Sequence, residues 1–165
     1  DRLKAAMTLL IQQMTGVATV KRSVPTAGAQ TSVGSPNGNP TIVVSIDVRN
    51  GTVWTRCGQA NMQFDPVLWA REVETCGAGE ILLTSIPRDG TMLGYDLDLI
   101  RNVAGAVSIP VIACGGCGSY EHMAQALEAG AHAVAAGAMF QFCELTPQGA
   151  RQFLAERGYP MRLSA

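Results

Sequence analysis

From Thr41 onward the chain repeats one pattern four times: an apolar, β-branched run, then a helical segment. The runs are Thr41–Val48 (TIVVSIDV), Glu80–Ser85 (EILLTS), Ile109–Cys114 (IPVIAC) and His132–Ala136 (HAVAA). Asp65-Pro66 and Thr146-Pro147 each place a capping side chain before a proline at the first helical position. The helices are expected from Pro66 to the closing Gly77, over 96–107, over 119–129 with Gly130 as the stop, and from Pro147 to Gly158. Strands that are apolar throughout and alternate with helices imply an α/β fold with a parallel sheet covered on both faces. Four parallel βα units are half of the eight that close a (β/α)8 TIM barrel, which takes about 250 residues. The competing architecture is a small open doubly wound sheet. After the first strand, NGTVWTRCGQ carries a glycine turn and alternation, as for a small excursion in two strands.

The half-barrel unit is expected to occupy residues 41–165. Before it, residues 1–16 place Leu3, Met7, Leu10, Ile11 and Met14 at helical spacing and read as an amphipathic helix ending at Gly16. Residues 17–40, rich in Ser, Thr, Gly, Pro and Asn, read as a flexible linker. Residues 1–40 hold four basic groups (Arg2, Lys4, Lys21, Arg22) against Asp1, yet the chain as a whole has a net charge of −1. That balance gives no electrostatic case for nucleic acid or for an anionic membrane. No apolar run is long enough to span a bilayer. Five cysteines without small-scaffold spacing point to reduced thiols and a cytoplasmic setting.

In parallel βα folds the loops leaving the C-terminal strand ends carry function. Asp47 closes the first strand as an acid in an apolar run. It is either a general acid–base group facing the mouth or a carboxylate that organises a loop. Ile86–Tyr95 (IPRDGTMLGY) follows the second strand, Cys114–Gly118 (CGGCG) the third, and Ala136–Met139 (AGAM) the fourth. Glycines there let backbone N–H groups approach an anion, or they only make tight turns. On the anion reading, Gly116→Val should block binding while the fold survives. Cys114 and Cys117 fit C-x-x-C, but no second pair or histidine cluster completes a metal set, so no metal is expected and packing is favoured over redox chemistry. His122 and His132 stand alone. Trp54 reads as a loop contact and Trp69 as a core anchor.

The words VVSIDV, DPVLWAREVETCGAGEILLTSIPRDGTMLGYDLDLI, IPVIACGGCGSYEHMAQALEAGAHAVAAGAMF and RGYPMRL resemble the second half of the cyclase subunit of imidazole glycerol phosphate synthases, a family of histidine-biosynthesis barrels. The resemblance covers nearly all of residues 41–163; residues 1–40 show no such words. It implies a (β/α)8 barrel that takes ammonia from a glutaminase subunit, closes an imidazole ring on a phosphorylated ribotide and releases a carboxamide ribotide. It implies that Asp47 is catalytic and that Asp89, Gly90, Gly116 and Gly137 hold a substrate phosphate, with Gly115 added to them by the glycine-loop reading above. It puts Thr84 on the strand wall beside the mouth and Glu80 at the floor where ammonia enters. It implies no cofactor. Pro87 departs from the family's usual acid, and Cys114 and Gly137 from its frequent serines. The family's first half, with its own catalytic aspartate and phosphate site, has no counterpart here.

Two open strand edges would favour pairing with a copy of the chain, as a homodimer or higher oligomer. Ile46–Val48, Asn50, Gly51 and Val53 also echo the opening words of the family's first half. The expected function is therefore a phosphate-binding half-barrel related to an ammonia-dependent cyclase (a lyase), with little or no activity alone. Docking of a glutaminase is doubtful without the missing surface. The alternatives are a non-catalytic interaction module and a relative of sugar-amidating cyclase-like proteins.

Overall fold

The computed structural model describes residues 42–161. The helix read at 1–16 and the linker read at 17–40 lie outside the described residues. Strand β1 (Val43–Arg49) turns at Asn50-Gly51 into β2 (Thr52–Thr55), and β3 (Ala60–Asn61) completes an antiparallel excursion. Asn50 and Gly51 both have positive φ, 52° and 73°, the backbone that a two-residue hairpin turn requires. Then come α1 (Pro66–Thr75), β4 (Glu80–Ser85), α2 (Leu97–Ala104), β5 (Val111–Cys114), α3 (Tyr120–Glu128), β6 (Ala133–Val134), α4 (Ala138–Phe142) and α5 (Pro147–Glu156).

The helix starts follow their local chemistry. Asp65 Oδ1 accepts from the N–H groups of Val67 and Leu68, both at 2.9 Å. Asp96 caps α2 through Leu99, Ser119 caps α3 through His122, and Thr146 caps α5 through Gly149. Each such cap is worth about 1 kcal/mol. The strand read from Ile109 begins instead at Val111. Pro110 has no N–H to give the ladder, although its carbonyl accepts from Ile81 at 2.9 Å. The strand read over His132–Ala136 shortens to two residues, flanked by ladder-like bonds from His132 to Val111 and from Ala135 to Ala113. Helix α4 was not foreseen.

The six strands lie in the order β3-β2-β1-β4-β5-β6, with β1, β4, β5 and β6 parallel. Successive crossovers step in one direction, and right-handed crossovers of that kind put their helices on one face. The helices form one layer: α1 touches α2, α2 touches α3, and α3 touches α5. A doubly wound sheet needs its strand order to reverse, and this one does not.

Burial follows the same division. Val44, Ile46 and Val48 of β1, Ile81 and Leu83 of β4, and Val111 and Ala113 of β5 are buried. The alternating residues Ser45, Asp47, Leu82, Thr84, Ile112 and Cys114 are only half-buried. The expectation of cover on both faces is therefore corrected: among the described residues, one face is sealed and the other is partly open. On the sealed side Ile46, Ile81, Leu83 and Met139 are fully buried, each worth about 1.5–3 kcal/mol in transfer from water. Trp69 is the core anchor expected of it, 7% exposed and stacked on Phe64 at 4.9 Å.

Candidate functional site

The register of the parallel strands brings Asp47, Thr84 and Cys114 side by side on the partly open face, near the strands' C-terminal ends. Ser45 Oγ donates to Asp47 Oδ1 at 3.1 Å. The two residues are two apart on β1 and so share a face. Burial pushes the Cys114 thiol up, and the negative charges of Asp89 and, more weakly, Asp47 add to it. Hydrogen bonds from the Thr84 side chain and the Gly115 backbone act the other way. Five residues singled out in the sequence, Asp47, Thr84, Asp89, Gly115 and Cys114, thus converge on one corner of the sheet.

The other residues divide. Glu80 pairs with Val43 at the opposite strand end, four residues before Thr84 and so roughly 13 Å away. It does not join the corner. Gly90 and Gly137 are exposed, and a Cβ added at either would meet nothing within 4 Å. Gly115 and Gly116 are buried with φ of +90° and +103°. A Cβ on Gly115 would lie 2.7 Å from the Ser85 carbonyl oxygen, and one on Gly116 would overlap the Gly94 carbonyl. Gly94 N–H also donates to Gly116 O at 2.7 Å. This overturns the expectation that Gly116→Val leaves the fold intact. Close packing of the loop after β5 against the loop after β4 is itself enough to demand glycine at 115 and 116. Of the four glycines read as phosphate-binding, Gly90 and Gly137 have open space where a side chain would be.

The C-x-x-C pair is a packing feature. Cys117 is 4% exposed, and its Sγ contacts Met139 Sδ at 3.1 Å. Burial pushes both thiols up, which suppresses the thiolate that exchange chemistry and metal binding need. Among the described residues no group of three or more His, Cys, Asp or Glu side chains comes together for a metal ion. His122 holds a loop: its Nδ1 accepts from Gly118 N–H at 3.2 Å. A cleft of about 390 Å³ lies behind the loop after β4, lined by Arg88, Gly94, Asp98, Arg101 and His122 among others. Asp47 and Thr84 are not on it. Its guanidinium and carboxylate groups offset one another, so it selects no charge, and the converging corner is the stronger site.

The sequence reading missed the neighbours that the hairpin supplies. Trp54 is the cross-strand partner of Asp47, and Arg49 the partner of Thr52. Counting outward from a two-residue Asn50-Gly51 turn yields that pairing, so the signal was present.

Comparison with known proteins bears on this corner. The chain matches the family model described as Histidine biosynthesis protein over residues 14–146. It is 50% identical over 130 residues to the imidazole glycerol phosphate synthase subunit HisF of Pyrobaculum aerophilum, covering 76% of this chain and 51% of that protein. The same subunit of Thermococcus gammatolerans is 48% identical over 130 residues, covering 76% and 52%. That of Thermobifida fusca is 44% identical over 135 residues, covering 76% and 53%. The family match starts upstream of Thr41, so the likeness reaches into a stretch where the sequence reading had found none. The chain spans about half the length of the curated relatives it matches.

Proposed function

The chain belongs to the histidine biosynthesis protein family, and from that premise we propose that its four parallel βα units are the phosphate-holding half of an eight-stranded cyclase barrel. The observation that carries this reading is the one-sided sheet. Helices cover one face, while the other presents Asp47, Thr84 and Cys114 at the strand ends, where barrel enzymes hold their substrates. Both ends of the parallel array favour continuation. Strand β2 pairs with β1 only from Asp47 to Arg49, which leaves Val43–Ile46 an open edge, and β6 is the last strand on the other side. Apolar side chains flank both ends: Ile42, just before β1, is 44% exposed, and Phe142, in the helix after β6, is 75% exposed.

The ligand of this half is a phosphorylated sugar. Gly90 and Gly137 bring backbone to open space, and the loop holding Gly115 and Gly116 is locked against its neighbour, so backbone donors are fixed before the anion arrives. Asp47 is the acid–base group. Ring closure needs proton transfers at two places, and this half offers Asp47 for one of them, Asp89 being read as part of the phosphate loop. The chain alone is therefore expected to show little or no turnover. The relatives are named as subunits, which is consistent with a companion. The chain spans about half the length of those relatives, and a second copy of it, which would supply four more βα units, is a better partner for it than a glutaminase.

Two measurements test this. Phosphate at millimolar concentration should shift the amide resonances of Gly90 and Gly137. Gly137→Val should abolish those shifts without lowering the melting temperature, because its Cβ would meet open space. Unperturbed amides would remove the anion site. The mass in solution at micromolar concentration should be that of a dimer or larger; a single species at 17.4 kDa would refute the pairing.

A further inference from the structure

Strand β2 folds back alongside the last three residues of β1 and carries the face of the sheet sideways beyond it. Trp54 is paired across the strands with Asp47, and directly opposed residues on one face of an antiparallel pair have Cβ atoms roughly 5 Å apart. The indole is half-buried and held in one orientation. Its Nε1–H donates to Arg49 O and to Thr52 Oγ1, both at 3.1 Å. The Arg49 guanidinium lies over the ring at 4.9 Å from its centroid. Arg49 is itself tied down, since its Nη1 donates to Gly58 O at 3.3 Å. Among the described residues no other aromatic ring stacks on Trp54. A loop contact alone does not require an aromatic plane fixed at its edge and on one face, next to the Asp47 carboxylate.

We propose that Trp54 is the stacking platform that receives the planar aminoimidazole ring of the ribotide and holds it beside Asp47. This rests on the phosphosugar reading above and adds to it the residue that selects for the ring. The guanidinium occupies one face of the indole, so a flat ligand would stack on the other. An electron-rich five-membered heterocycle suits that face, because stacking needs a π surface and no particular pattern of donors. The phosphate loops and Trp54 then grip the two ends of one molecule, with Asp47 between them.

The test compares three probes on the full chain: 5-aminoimidazole-4-carboxamide ribotide, ribose 5-phosphate and inorganic phosphate. The chain has two tryptophans, so a Trp69→Phe background makes emission report on Trp54 alone. The ribotide should quench that emission to saturation and bind about tenfold tighter than ribose 5-phosphate. Read by titration calorimetry, because these variants remove the reporter, Trp54→Leu should erase the tenfold margin and leave ribose 5-phosphate binding as it was; Trp54→Phe should keep most of it. A merely structural role would move the melting temperature but not this ratio. If ribotide and ribose 5-phosphate bind equally to the unaltered chain, the platform is refuted while the phosphosugar reading stands. If none of the three probes binds, both fall.

Discussion

Asp47→Asn should abolish ring closure in any assembly of this chain that turns over the ribotide with ammonia, a loss on the order of 10²- to 10⁴-fold. The substitution keeps the size of the side chain and its place in register with Thr84 and Trp54. An amide oxygen can still accept from Ser45 Oγ, which now lies 3.1 Å from Asp47 Oδ1. What is lost is the capacity to take up and return a proton. Binding of ribose 5-phosphate should therefore be unchanged while turnover disappears, which separates a chemical role from a structural one. The assay belongs on the self-paired chain or on the chain mixed with the first half of a relative. In a self-paired barrel the second acid–base group would be the Asp47 of the other copy. A displacement of about 1 Å can cost on the order of a hundredfold in rate. Weak turnover at the start is thus part of the expectation. Turnover that persists undiminished in Asp47→Asn would remove this residue from the mechanism.

The second large effect is on stability. Gly116→Ala should cost about 3 kcal/mol or more. The backbone there has φ of +103°, which L side chains rarely adopt, and the new Cβ would overlap the Gly94 carbonyl oxygen and sit 3.0 Å from Arg88 Cβ. The hydrogen bond from Gly94 N–H to Gly116 O joins the same two loops, so relief of the clash would break it. Gly90→Ala is the control. Its φ is +76° but its Cβ would meet open space, so it should cost about 1 kcal/mol from backbone strain alone. Urea unfolding at a fixed protein concentration reads both, the concentration being held because association contributes to stability. Equal costs at the two positions would show that the loops are not packed as described.

The sequence by itself determined the described elements other than the short helix α4. Asp65-Pro66 and Thr146-Pro147 start α1 and α5 as their local chemistry requires, because a cap and its N–H partners lie within three residues of one another. The β-branched runs at Val43–Arg49 and Glu80–Ser85 are strands for an equally local reason. The words of the histidine-biosynthesis family were also legible, and the family match agrees with them. Only the tertiary structure decided which side of the sheet is sealed. An apolar run looks the same whether helices cover one face or two, and the choice is made by the order in which β1, β4, β5 and β6 line up. It also decided what the glycines do. Gly115, Gly116 and Gly137 read alike along the chain, yet the first two meet Ser85 and Gly94, 30 and 22 residues away, while the third meets nothing within 4 Å. Contacts made across such separations depend on how two loops happen to approach, and no periodicity or cap records that approach.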